Sequence, residues 1–405
     1  MRYNRRMEKC LEPKNIAVLF SLSLKGQRMT FRGILDYASK HGPWFCKMME
    51  GRIGEQELGV GRKGEIDGVI MSLTTRRTAE KVAALGVPVV FVEPFPEMMK
   101  PDWPIQGAPW VGRDSFAIGA AAARYYMERG YRHFAYIDVP NGRYWSGERR
   151  RGFAETLAAA GFGCAGYAGF SARERRSWPT EKPRMVKFLA ALPRPTAIFA
   201  PMDGRARLVL DACQTAGLRV PEEIAVLGVD NDTLLCESTF PTLSSIHTGG
   251  FRRGRIAAEM LDDLMHGRKP RERAVPLPPI SVVTRGSTGY DAMRDPIIGR
   301  AVTFLREKSA AGGVPVPAVA RAAGCSRSYL DKGFRAKLGM SVREAVLRMR
   351  LERVKELLGT GNRTMTEIAQ ECGFARDSHL AYLFKKATGK TMLQWRRENR
   401  ESPDE

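Results

Sequence analysis

One property limits what this chain can fold into more than any other: short, nearly unbroken apolar runs recur through residues 15–285, with helical stretches between them. The runs are IAVLF (16–20), GVIMSL (68–73), PVVFVE (88–93), HFAYIDV (133–139), TAIFA (196–200) and IAVLGVD (224–230). Continuous apolar runs of this length suit parallel strands whose two faces are both covered. The intervening SFAIGAAAARYYMERG (115–130) and DGRARLVLDACQTAG (203–217) have helical spacing. Gly130 and Gly217 stand where a left-handed helix C-cap is expected. Repeated βα units of this size predict a doubly wound α/β module.

The pattern then breaks. Residues 270–296 gather prolines, glycines and polar residues, which places a boundary near Thr284–Pro296. After Pro317 no proline occurs until Pro403, and every periodic stretch there has helical spacing. The expected organisation is an N-terminal extension (1–14), an α/β ligand-binding module (15–285), a linker (286–295), an all-α domain (296–400) and an acidic tail (401–405). A length of 405 residues accommodates this.

The formal charge of +21 asks for an acidic partner, and double-stranded DNA is the first candidate. The excess is only slightly denser in the helical part, so charge alone does not locate the interface. Seven cysteines, Cys10, Cys46, Cys164, Cys213, Cys236, Cys325 and Cys372, form no CxxC pair, so neither a disulfide framework nor a zinc ribbon is indicated. The five histidines show no metal spacing, and no metal or cofactor is expected. The start MRYNRRMEKC lacks the apolar stretch of an export signal, and no apolar run approaches a membrane span. These features lead to the expectation of a cytoplasmic protein without a membrane partner.

In the helical part, VPVPAVARAAGCSRSYLDKGFRAKLG (314–339) divides into a short helix, a turn at Gly324 and a second helix with Ser326 as a natural N-cap. Leu330 and Phe334, one turn apart, face a core. Arg327, Ser328, Asp331, Lys332 and Arg335 lie on the other faces, as a major-groove helix requires. Ser341 and Glu344 then open a long helix with capping-box spacing, whose stripe is Val342, Ala345, Val346, Met349, Val354, Leu357 and Leu358. Thr364 and Glu367 open a second unit with its turn at Gly373. Its second helix, ARDSHLAYLFKKATG (375–389), begins at Arg376 and carries Lys385 and Lys386 at its far end, where phosphate contacts are expected.

Taken together, CSRSYLDKGFRAKLGMSVREAVLRMRLERVKELL and TEIAQECGFARDSHLAYLFKKATGKTMLQWR resemble the DNA-binding domain of the AraC/XylS family over roughly the last hundred residues. The resemblance implies two recognition helices joined by a rigid helix. It also implies base reading by Ser328, Asp331 and Lys332 in the first unit and DNA-facing Asp377, Ser378, Ala381 and Tyr382 in the second. His379 and Leu380 depart from that family's usual aromatic pair, and Met392 from its usual proline, departures expected to loosen the second unit.

The segment from TAIFAPMDGRARLVLDAC through LGVDN to IHTGGFRRGRIAAEMLDDLMHGR resembles the sensor domain of the LacI/GalR family, which shares its two-lobed fold with periplasmic sugar-binding proteins. The expected fold class is therefore a two-lobed α/β sensor of that type plus an all-α double helix-turn-helix domain. The family's own N-terminal helix-turn-helix is absent ahead of the first strand, and the reader is expected at the other end. With RYWSGERRRGF (143–153), PMDGRAR (201–207), LGVDN (227–231) and SRSYLDKGF (326–334), this order is similar to the xylose-responsive regulators. That implies an activator of sugar-utilisation genes, a sugar effector with D-xylose or a related pentose first, a homodimer, and contact with RNA polymerase.

Sugar hydroxyls need carboxylate acceptors and a forked guanidinium, and the apolar ring face needs an aromatic side chain. The candidate ligand contacts are Asp230 at a strand end, Arg149, Trp145 or Trp178 for stacking, Met202 and Asp203 in the approaching loop, and Asp114 after WVGR, more suited to hinge support.

An enzyme is not expected. GVGRKG (59–64) fits GxGxxG but precedes a strand instead of opening a helix after one, and Walker A, GxSxG and HExxH sequences are missing. The alternative retains the DNA reader but gives the front module a non-sugar ligand such as a purine, or a protein partner.

Overall fold

A computed structural model describes residues 13–49, 65–72, 75–140, 142–169, 177–289, 296–309, 314–338, 340–360 and 363–399. The GVGRKG match, Cys10 and the acidic tail lie outside the described residues. Backbone packing divides the chain into two units, residues 1–113 with 249–277 and residues 114–248 with 278–405.

The first unit opens with β1 (Lys14–Leu19), α1 (Lys25–His41), β2 (Trp44–Met48), β3 (Gly68–Met71), α2 (Arg76–Leu85), β4 (Val89–Val92) and β5 (Trp110–Arg113). The chain then builds the second with α3 (Ser115–Met127), β6 (His133–Ile137), α4 (Tyr144–Ala159), β7 (Ala165–Tyr167), α5 (Trp178–Ala191), β8 (Thr196–Phe199), α6 (Asp203–Thr215), β9 (Ile224–Val229), α7 (Thr233–Glu237) and β10 (Ser244–His247). It returns to the first with α8 (Gly250–Met265) and β11 (Ala274–Leu277), and to the second with β12 (Ser281–Val283).

Among the described residues each unit holds a six-stranded sheet, ordered β11-β5-β4-β3-β1-β2 and β12-β10-β9-β8-β6-β7. Pairing is parallel except between β10 and β12. The apolar runs supply the inner strands: β3, β4, β8 and β9 are buried at every position, as expected for strands covered on both faces. Gly130 and Gly217 do adopt left-handed backbone, at φ 81° and 64°.

Helix pairs approach so closely that only glycine fits between them. A Cβ on Gly119 of α3 would overlap the carbonyl oxygen of Arg149 on α4, and one on Gly152 would overlap that of Phe116. Gly254 of α8 sits in the same way on the carbonyl of Thr30 in α1.

The α/β module continues past its expected end at Arg285. Residues Gly286–Thr288 form a 3-10 turn in which Ser287 and Thr288 are fully buried. Ser287 receives a hydrogen bond from the Ser244 amide (2.8 Å) and donates to the Val226 carbonyl (2.6 Å). Hydroxyls paired this way let a polar stretch become core, so residues 286–289 belong to the module and not to the linker.

The helical domain comprises α9 (Pro296–Ser309), α10 (Val316–Ala323), α11 (Arg327–Leu338), α12 (Val342–Thr360), α13 (Met365–Glu371), α14 (Asp377–Thr388) and α15 (Met392–Asn399). One core gathers α9, α10 and α11 onto the start of α12, and another gathers α13, α14 and α15 onto its far half. Helix α12 has 19 residues, about 28 Å at 1.5 Å each, and is the spine common to both.

Caps set the boundaries. Ser341 and Glu344 exchange the two bonds of a capping box (2.6 and 3.2 Å), and Thr364 and Glu367 do the same (2.6 and 3.2 Å). A cap of this kind is worth about 1 kcal/mol. Gly324 and Gly373 turn at φ 70° and 72°. Leu380 and Met392, which replace residues usual in the resembling family, are buried in the second core, while His379 is exposed with its ring edge toward Phe374. Leu380 and Met392 thus serve as core residues of the second unit.

Candidate functional site

In open parallel sheets, ligands gather outside the carboxyl ends of the strands, where the strand order reverses. The second unit has that point between β6 and β8. The chain leaving β6, β8 and β9 there delivers Asp138, Pro201 and Asp230 to one rim. Helix α4 contributes Arg149, which is 1% exposed. Its guanidinium donates to the Pro201 carbonyl and lies 4.9 Å from the centroid of the half-buried Trp145 ring one turn earlier. A forked donor and an aromatic face therefore occur side by side on α4.

Asp230 leaves β9 with φ 103°, and Asn231 follows at φ 51°. Two successive non-glycine residues in left-handed backbone store strain, which persists where the surroundings over-determine it. The Asp230 amide donates to the Ile246 carbonyl (2.9 Å), and its carboxylate accepts from the Thr248 hydroxyl (3.4 Å).

Asp203, the first residue of α6, is 2% exposed and accepts from the Ser245 hydroxyl (2.6 Å), the Asp232 amide (2.7 Å) and the Cys236 thiol (3.6 Å). Burial pushes its pKa up to about 7, and the charge of Asp230 adds to the rise. The ordinary carboxyl value is 3.8, so folding favours the protonated form. That contribution is complete below the unfolded value and is lost as pH rises through about 7. Wild type is expected to lose stability relative to Asp203→Asn between about pH 4 and about pH 7, followed as Tm across that range. Parallel Tm curves for the two proteins would show that Asp203 is not the titrating group.

The other expected residues have the following places. Met202 precedes α6 and is half-buried. Asp114 caps α3, accepting from the Ala117 amide (2.8 Å). Trp178 opens α5 and packs onto the core under α6, with its indole N–H donating to Asp211 (2.6 Å). That bond fixes Trp178 against α6, whereas Trp145 lies beside Arg149.

Several features escaped sequence reasoning. Arg205 and Glu181 form a buried two-pronged ion pair (3.0 and 2.6 Å), and Arg205 also donates to the Asp138 carbonyl (2.9 Å). In the first unit, Glu93 follows β4 with φ 58° and meets Arg113 (2.9 Å) and the buried Arg253 (3.1 Å). Arg285 reaches back to Asn231 (2.8 Å). Each pairing joins residues distant in sequence and of unremarkable type.

The helical domain presents its predicted DNA residues as follows. On α11, Leu330 and Phe334 are fully buried, whereas Arg327, Ser328, Lys332 and Arg335 are exposed. Asp331 is half-exposed, 3.9 Å from the Arg327 guanidinium. On α14, Leu380 and Phe384 are buried, and Asp377, Ser378, Ala381, Tyr382, Lys385 and Lys386 are exposed, as is Arg376 just before it. Tyr329, exposed beside Ser328, was passed over because an aromatic residue reads as core. Helices pinned by two apolar side chains, with short polar and basic ones outward, can enter a major groove.

Among the described residues, no His, Cys, Asp and Glu grouping suits a metal, and no helix is long and apolar enough to cross a membrane. The described cysteines, Cys46, Cys164, Cys213, Cys236, Cys325 and Cys372, are free.

Comparison with known proteins agrees with this division. The family model of a periplasmic binding protein-like domain matches residues 123–288, and that of a helix-turn-helix domain matches 319–398. The xylose operon regulatory protein of Escherichia coli K12 is 28% identical over 392 residues, 95% of this chain and 97% of that one. Its counterpart from Haemophilus influenzae is 28% identical over 340 residues, 82% of this chain and 85% of that one. A solved xylose-binding transcription activator superposes with a TM-score of 0.61 at 27% identity, covering 97% of this chain and all of that one.

Proposed function

We propose, from the premise that this chain is a XylR-like transcriptional regulator with a LacI/GalR-type sensor fused to an AraC-type DNA-binding domain, that a small sugar at the rim of the second sheet controls how it holds DNA. The observation that carries this reading is the Arg149–Trp145 pair on α4, with Arg149 bonded to Pro201 on the same strand-end rim from which Asp230 leaves β9. Guanidinium and carboxylate bond hydroxyls in opposite senses, and the indole covers an apolar ring face. D-xylose or a related pentose is the first candidate, because relatives that cover 82%, 95% and 97% of the chain are named for xylose. The regulator acts in the cytoplasm as a homodimer, and as an activator of sugar-utilisation genes it meets RNA polymerase. Paired readers suit two half-sites.

The effector is tested by melting the purified protein against pentoses, hexoses and nucleobases. A hundredfold excess of ligand over Kd adds about 2.7 kcal/mol to the folded state. D-xylose is expected to give that shift, and Asp230→Ala to abolish it while DNA binding persists. A normal response in the variant would remove Asp230 from the site, and a shift with nucleobases alone would make the effector a purine.

DNA reading is tested on α11 and α14. Lys332 is exposed beside Asp331 and suits a guanine edge, so Lys332→Ala should cost about 1–3 kcal/mol on the operator and relax preference at one base pair. Lys385, in the last turn of α14, suits a phosphate. Its removal should weaken all sequences alike and lower the salt slope by about one. Titrations on operator and scrambled DNA at several salt concentrations separate the two. Equal losses on both DNAs for Lys332→Ala would make α11 a backbone clamp.

A further inference from the structure

The loop after β9 and the last turn of the α/β module are joined by one side-chain pair. Arg285 donates to the Asn231 side-chain oxygen (2.8 Å) and to the Leu243 carbonyl (3.0 Å). Its own backbone is locked to β10: its amide donates to the Ser244 hydroxyl (2.7 Å), which donates to the Arg285 carbonyl (3.1 Å). The same hydroxyl accepts from Thr288 (2.7 Å), and Thr288 meets the Tyr125 hydroxyl of α3 (2.6 Å). Ser244, Ser287 and Thr288 are fully buried, so the inner bonds of this network are shielded from water, while Arg285 and Asn231 are half-buried.

At its other end the pair reaches the rim. The Asn231 amide donates to the Ser245 hydroxyl (2.9 Å), and Ser245 donates to Asp203 (2.6 Å). Asp230 and Asn231 are both in left-handed backbone, so this loop is the strained segment of the rim. Residues 286–288 form the last described turn before α9 opens the helical domain at Pro296. A continuous, partly buried bond network connects the two, and Arg285 is its junction.

We infer that Arg285 is a positioning residue for signal output: its bond to Asn231 ties the loop at 230–232 to the exit turn at 286–288, so that occupancy of the rim sets the geometry of the segment leading to the DNA reader. This rests on the reading of that rim as the effector site. A ligand shifts such an equilibrium only by its differential contact with the two states. The Asn231–Arg285 bond is the part of the network that a displaced loop would lengthen first.

The test is hydrogen–deuterium exchange on the full-length protein, with and without D-xylose, in wild type, Asn231→Gly and Asn231→Asp. Glycine accepts the φ of 51° without strain and removes the acceptor, while aspartate retains an acceptor and tolerates the same backbone. In wild type, D-xylose is expected to slow exchange in peptides covering both 230–232 and 284–289. In Asn231→Gly, at saturating sugar, the first peptide still responds and the second does not, and Asn231→Asp restores the second response. An undiminished response at 284–289 in Asn231→Gly overturns the inference and leaves the sugar assignment standing. If D-xylose alters no peptide of wild type, the effector reading fails instead. The link is then decided in the ligand-free proteins, where Asn231→Gly should speed exchange at the Ser287 amide about tenfold over wild type. Equal rates there overturn it.

Discussion

Glu181→Ala is expected to destabilise the second unit by about 3–5 kcal/mol, a large share of the stability of an ordinary domain. The Arg205 and Glu181 side chains are 3% and 6% exposed, and the two bonds between them are parallel. Removing the carboxylate leaves a guanidinium in a dry site, with the Asp138 carbonyl accepting from its Nε and the other two nitrogens stripped of their Glu181 bonds. The cost comes from that stranded charge, not from a lost surface attraction. The double variant Glu181→Leu with Arg205→Met should therefore recover most of the loss. Urea denaturation of all three proteins decides it, and a single variant within about 1 kcal/mol of wild type would contradict the buried pairing.

Gly119→Val should be comparably damaging for a different reason. Its Cβ would fall on the carbonyl oxygen of Arg149, and backbone cannot turn aside as a flexible side chain can. Helices α3 and α4 would have to move apart, for at least the 1–3 kcal/mol typical of overpacking, about as much as a lost core methyl group or two. Arg149 and Trp145 ride on α4, so sugar binding should weaken along with stability. Gly147, on the same helix, has nothing within reach of a Cβ. There Gly147→Ala is expected to be neutral or to stabilise by about 0.4–1 kcal/mol. Thermal melting of both variants checks the contrast, and similar effects at the two positions would mean the helices are not in backbone contact.

The strands visible in the sequence all have neighbours on both sides, although the short inner strand β5 was not among them. β1, β3, β4, β6, β8 and β9 are inner strands, and burial on both faces forces a continuous apolar run. β2, β7, β11 and β12 lie at sheet edges, where one row of side chains meets water. β2 alternates between half-buried and exposed positions, so WFCKM offers no run to detect. β10 is different again: Ser244 and Ser245 are buried, but as hydroxyls with partners, a pattern indistinguishable from a loop until those partners are known.

The same distinction holds for the site. The place of Asp230 was legible because a strand end announces it, and the exposed faces of α11 and α14 because caps and buried pairs fix the phase of each helix. Asn231 with Arg285, and Glu181 with Arg205, depend on which distant elements become neighbours, and local periodicity carries no such information. Trp178 shows the converse: residue type suggested stacking, and the Asp211 carboxylate on α6 gives its indole another role.

The order in which the chain visits its two units bears on its birth. Strand β11 pairs with β5 through Ala274 opposite Trp110, and α8 lies against α1, yet all of the second sheet except β12 is encoded between them. During synthesis the outer row of N–H and C=O groups on β5 stays open until residue 277 has emerged, on the order of ten to thirty seconds later at ribosomal speed. The DNA reader emerges only after both sheets can close, so a truncated translation product has no grip on the genome.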